Sequence, residues 1–173
     1  MLEAAILVVF PFCMLFAAIS DMVSMTIANR VAVILVGAFA VLAPLTGMDW
    51  ATYGMHFAAG ALVLAVTFGL FAVGGMGGGD AKLLAATAVW MGFGIVLVNY
   101  LVLGAMLGGV LTIAILAFRK SPTSLFAGRN MFLRHFADEK AGIPYGIALG
   151  IAGLVAYPET ALMQWVLERF AAH

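Results

Sequence analysis

Residues 4–20, 31–47, 53–73, 82–98, 100–118 and 143–157 carry between them a single charged side chain, Lys82. A helix crosses a bilayer with roughly 20 mainly apolar residues. The chain therefore reads as an all-α polytopic membrane protein of about six transmembrane helices. Composition agrees with that reading. The sequence is 65% hydrophobic and 9% charged, whereas a soluble domain is about 45–50% apolar and about a quarter charged. Spans of this number fill 173 residues, so 1–173 is expected to form one membrane domain.

Polar residues set the expected boundaries. The first run closes at Ser20-Asp21 and a polar connector follows over 24–30. Pro44, Gly47, Asp49 and Trp50 close the second run. Asn99-Tyr100 is the expected turn between the fourth and fifth, and 119–142 is the longest polar stretch. Pro158-Glu159 interrupts the sixth. In the tail 160–172, Leu162, Trp165, Val166 and Phe170 fall near one helical face, which suits either an extension of the sixth span or a segment along the interface. With the N-terminus outside, seven of the eight lysines and arginines fall on the cytoplasmic side, and only Arg169 does not. That asymmetry orients the chain. A formal net charge of zero removes the electrostatic footprint of a nucleic-acid binder, and the expected surroundings are the lipid bilayer. Cys13, the only cysteine, reads as a small buried hydrophobe.

Chemistry concentrates at one place. Five of the six residues before Asp80 are glycine, and an apolar run starts just after it. Such glycines suit close helix packing, and equally a site where a substrate backbone approaches closely. A phosphate loop is excluded, because no GxxxxGK[ST] pattern and no preceding strand is present. An ionisable group at membrane depth is a functional-site hypothesis by default. Asp80 alone would suit a helix N-cap, and Asp21 a helix end facing headgroups. Together they are the only acids at the cytoplasmic ends of spans, two crossings apart and so at similar depth. Two neighbouring carboxylates can share a proton, one acting as base and the other as acid. In peptide hydrolysis that pair activates a water and protonates the oxyanion, without metal or cofactor. His56 lies at the far side, His135 in the polar loop and His173 at the end, so no histidine joins them.

Three motifs carry a resemblance. Gly77-Gly78-Gly79-Asp80-Ala81-Lys82-Leu83 resembles the GxGD-x-K-L signature of type IV prepilin peptidases, which are membrane aspartyl proteases. Asp21 with Ile27-Ala28-Asn29 resembles the family's first aspartate and its I-P-N element, with Ala28 where proline is usual. Ile143-Pro144-Tyr145-Gly146 resembles the PYG motif before the last span. The motifs stand in the family's order over nearly the whole chain, and the short length resembles the members serving tight-adherence (Flp) pili.

The resemblance implies an aspartic endopeptidase of the bacterial inner membrane, working at its cytoplasmic face to remove the short leader of a prepilin. Asp21 and Asp80 would be catalytic, Gly77 and Gly79 would shape the substrate's approach, and Tyr145 would line the cleft. The substrate would be a protein whose apolar segment lies in the membrane beside the scissile bond. No extension precedes the first span, so the methyl transfer of longer members is not carried over. Lys82 reads as an interfacial anchor. The loop 119–140 reads as a solvated interfacial segment or as a lid for the leader. Two other classes remain open: a small transporter or channel using Asp21 and Asp80 as a proton or cation site, and a non-enzymatic scaffold. Oligomeric state is left open.

Overall fold

The computed structural model describes residues 1–121 and 142–172. Among these, α1 (Leu2–Ser24), α2 (Asn29–Leu45), α3 (Trp50–Ala72), α4 (Gly78–Met91), α5 (Ile95–Lys120), α6 (Tyr145–Ala156) and α7 (Ala161–Ala171) follow in order, with a single 3₁₀ turn at Tyr157–Glu159 between the last two. The expected loop over 122–141, with Arg129, Arg134 and Lys140, lies outside the described residues. The all-α membrane architecture is as the apolar runs require.

The helix boundaries have local causes. Asp49 caps α3, accepting from the amides of Ala51 at 3.1 Å and Thr52 at 2.9 Å. At the other end of α3, the Gly75 amide donates to the Leu70 carbonyl and the Gly74 amide to that of Phe71. With Gly74 at φ +76, this is the Schellman pairing that glycine permits. Thr160 caps α7.

The number of spans is smaller than six. Three helices, α1, α3 and α5, are by themselves long and apolar enough to cross a membrane, and α6 with α7 makes a fourth if that pair, bent by 46°, counts as one. Two of the expected runs fall short: α2, apolar but only 17 residues long, and the fourth run. The run 82–98 is broken at Gly92 and Gly94, whose φ values of 67° and 146° exclude a continuous helix. The turn therefore falls there, while Asn99 and Tyr100 lie inside α5. What remains is α4, a helix of 14 residues. Every residue from 83 to 91 is buried. This helix is apolar because protein surrounds it, not because lipid does.

The core forms around α4, which packs against α2, α3 and α6. Trp90 is fully buried, donates its indole N–H to the Leu35 carbonyl at 2.9 Å, and meets Phe10 and Phe39 at 5.1 and 5.7 Å between ring centroids. Tyr157 stacks on Phe10 and donates to the Ile6 carbonyl, tying the lower end of α6 to α1. Higher up, α6 turns Gly146, Gly150 and Gly153 toward α1. A methyl at 150 would stand 3.0 Å from the Met14 carbonyl oxygen. This small-residue face is what lets the two backbones approach, as in membrane helix pairs generally.

Candidate functional site

Asp21 lies in the last turn of α1, which runs on to Ser24 instead of ending at Asp21. The helix then stops at Met25, in the left-handed region at φ 53°, and the Met25 amide donates to the Asp21 carbonyl at 2.9 Å. Hydroxyls stitch the turn: Ser24 donates to the Ser20 carbonyl at 2.7 Å and Ser20 to that of Thr26 at 2.9 Å. Ala28 then caps α2 at φ −65°, ψ 136°. That is the φ a proline ring enforces, so alanine keeps the backbone of the I-P-N element.

Asp21 is buried. Its Oδ2 accepts the Gly146 amide at 2.7 Å, the first turn of α6 pointing an N–H at a carboxylate as helix N-termini do. A side chain at 146 would be impossible without movement: a Cβ there would lie 2.8 Å from Asp21 Cβ and 2.9 Å from both Asp21 Oδ2 and Ile27 Cδ1. Ile27 also touches Gly79, where a Cβ would lie 3.2 Å away. One isoleucine from the connector thus wedges the starts of α4 and α6.

Asp80 sits in the first turn of α4, after the N-cap Gly77. It is half-buried and receives no hydrogen bond from the described residues. Its carboxylate folds back over Gly77, where a Cβ would lie 2.8 Å from Oδ2. The glycine run therefore divides its work. Gly74 and Gly75 end α3, Gly77 leaves room for the Asp80 carboxylate, Gly78 lies under the Phe71 ring and Gly79 receives Ile27.

Asp21, Gly77, Gly79, Asp80 and Tyr145 all line one cavity of about 1330 Å³. Tyr145 forms part of the wall. Its ring covers Gly108 of α5 and its hydroxyl meets the Thr112 hydroxyl at 3.1 Å. Arg119, at the end of α5, donates to the Gly142 carbonyl at 3.0 Å across the rim. Other sequence candidates are not brought in. Lys82 turns away to Asn29 Oδ1 at 2.8 Å, and His56 is buried far down α3, its Nδ1 2.7 Å from the Val89 carbonyl oxygen. Two residues were missed as site builders, Gly146 and Ile27. For Gly146 the 146/150/153 spacing signals a close helix contact but not an amide bound to Asp21, and for Ile27, as for Gly146, only its place in a motif marked it.

A mouth of this kind offers two carboxylates, one fixed by a backbone amide and one beside the glycine run, at the head of a largely apolar cavity. The model of the type IV leader peptidase family matches residues 8–118, which include both aspartates. No curated protein and no solved structure matches the chain.

Proposed function

The chain belongs to the type IV leader peptidase family, and from that premise we propose that it is an aspartic endopeptidase of the bacterial inner membrane that cuts the short cytoplasmic leader from type IV prepilins, as the short forms serving Flp pili do. The observation that carries the reading is the meeting of Asp21 and Asp80 in one cavity, although 58 residues separate them. In the step they would share, one carboxylate takes a proton from water and the resulting hydroxide adds to the scissile carbonyl carbon. The other carboxyl gives its proton to the carbonyl oxygen. On collapse the C–N bond breaks, the departing nitrogen takes a proton from the carboxyl that accepted one from water, and one hydroxyl of the intermediate returns its proton to the other carboxylate, leaving the pair as it began. Gly77 gives the Asp80 carboxylate room to turn toward the cavity, Gly79 lets Ile27 pack beneath it, and Tyr145 forms part of the cleft wall.

The position of the acids at helix ends, in the last turn of α1 and the first of α4, supports hydrolysis of a leader over an ion path, which would place them nearer mid-height. The basic residues support a cytoplasmic orientation for this end: Arg30, Lys82, Arg119 and Lys120 stand at the same helix ends as the two acids, as the excess of positive charge in cytoplasmic segments would require.

The test is co-expression with candidate prepilins from the same genome, reading leader removal by gel mobility. Wild type should shorten its prepilin. Asp21→Asn and Asp80→Asn should each leave it uncut while the purified variants melt as wild type does. Substantial cleavage by either variant removes the pair from the mechanism.

A further inference from the structure

The cavity does not stop at the carboxylates. Leu62, Val66 and Leu70 of α3 form one side, Val98, Leu101 and Ala105 of α5 form the other, and Phe93-Gly94 closes the bottom. Since α4 connects Asp80 to the Gly92 turn, the trough runs the height of that helix, about 20 Å at 1.5 Å per residue. Spread over that height, the 1330 Å³ correspond to a section about 9 Å across, a little under the ~10–12 Å diameter of a helix with its side chains, as suits a trough open along one side.

The walls explain why the trough is open. α3 rests on α4, while α5 rests chiefly on α6, so the two long helices stand apart with α4 as the floor between them. Large side chains are left bare on both sides: Leu62 is 54% exposed, Val66 58% and Val98 51%. Of the three long apolar helices, α5 is the least covered by protein. The trough also lacks polar demands below its head. Thr67, the one hydroxyl on its α3 wall, donates to its own helix at the Val63 carbonyl, 2.8 Å away. An occupant must therefore be apolar along its length, as wide as a helix, and polar only where it reaches Asp21 and Asp80.

We propose that the trough between α3 and α5 seats the apolar membrane helix of the precursor, which enters sideways from the bilayer and presents its leader junction to Asp21 and Asp80. This rests on the peptidase reading above and adds the route and the docking surface. Continuity of the trough with the two acids sets the register. A helix lying in it has its upper end at the carboxylates, so the leader begins where the apolar segment stops. Ala105 and Gly94 on the α5 side keep that wall low enough for a second backbone to approach.

The experiment uses the full chain in phospholipid vesicles, with a photoreactive benzoylphenylalanine at Val66, at Val98, or at Met106, which is exposed on α5 outside the cavity. The probe is a synthetic peptide made of a short polar leader joined to a leucine–alanine helix of about 20 residues, enough to span. Irradiation should join the helical part of the probe to positions 66 and 98 at least tenfold more than to 106, and the same helix without its leader should compete. Equal labelling at all three positions, or cross-links between two copies of the chain in place of those to the probe, would overturn the proposal. Leader removal from the co-expressed prepilin by wild type is scored separately. Cleavage without cross-links at 66 and 98 eliminates the trough and leaves the peptidase standing. A chain that cuts no prepilin eliminates the peptidase reading, and the occupant with it.

Discussion

The surroundings of the two aspartates are built on opposite plans. Asp21 is buried and tied to another helix by the Gly146 amide, in an interface where α1 and α6 touch through glycine. Asp80 is half-buried, its carboxylate has no hydrogen-bond partner among the described residues, and it is positioned by the start of its own helix and the room that Gly77 leaves it. One carboxylate is a fixed point of the packing, while the other can turn about its side-chain bonds. A pair of this kind keeps one group in register and lets the other adjust to what enters the cavity.

The sharpest way to break the comparison is to add one methyl at each site. At Gly146 the new Cβ meets the tip of Ile27 and, closer, Asp21 Cβ, which cannot yield without moving α1. Gly146→Ala should lower the unfolding free energy by about 1–3 kcal/mol, as overpacking does. It should also reduce prepilin cleavage about 100-fold, the penalty of a reacting group misplaced by about 1 Å. At Gly77 the Cβ meets only the end of the Asp80 side chain. An off-rotamer side chain costs about 0.5–1.5 kcal/mol, so Gly77→Ala should slow cleavage by no more than about tenfold, at 1.36 kcal/mol per decade. Equal losses in the two variants would show that Asp80 is held as tightly as Asp21.

A second pair separates the interface from the site it serves. A Cβ at Gly150 lies 3.0 Å from the Met14 carbonyl oxygen, a backbone atom, while one at Gly153 meets the flexible Met14 Cε at 2.5 Å. Gly150→Ala should destabilise by about 1–3 kcal/mol. At Gly153 the methionine can give way, and alanine's advantage over glycine within a helix, about 0.5–1 kcal/mol, should leave the variant near neutral. Denaturation in mild detergent measures both.

A third acid supplies the reference for local holding. Asp49 accepts from Thr52 and Ala51 at the start of α3, and those bonds keep its carboxyl below the ordinary value of about 3.8. A depressed folded-state pKa stabilises above the unfolded pKa and is lost as pH falls through the folded one. Asp49→Ala should therefore lower the melting temperature at neutral pH, by an amount that shrinks in acid below about pH 4, and leave cleavage unchanged. The smallest effect is expected at Ala28, whose φ of −65° already suits proline. Ala28→Pro should stabilise by about 0.4–1 kcal/mol by restricting the unfolded chain.

How much of this could be read from the residues follows a physical line. The all-α membrane fold was legible because charge is so scarce in the apolar runs. The acids were legible because Asp21 and Asp80 stand alone at run ends. The span count was not, because an apolar run looks the same whether lipid or protein covers it, and α4 is covered by protein. The α4–α5 turn was misplaced for a related reason. Asn99 and Tyr100 attract attention as polar residues, yet Tyr100 is buried inside α5. Gly92 and Gly94 break the helix through dihedrals that leave no polar mark. The amide of Gly146 was invisible as a ligand because every residue but proline carries one, and only the approach of α6 to α1 gives it a partner.

The shortness of α4 bears on how such a chain is made. Fourteen residues reach about 21 Å, well under the ~30 Å hydrocarbon core, and Asp80 and Lys82 occupy the first turns. On emerging from the ribosome, this segment has too little length to partition stably into lipid alone. The Schellman turn over Gly74-Gly75 and the tight bend at 92–94 bind it to two helices that do insert, so α3, α4 and α5 would go in as one hairpin-linked unit. The trough between α3 and α5 would then be laid down during biosynthesis, with α4 held at its floor by the neighbours that carried it into the membrane.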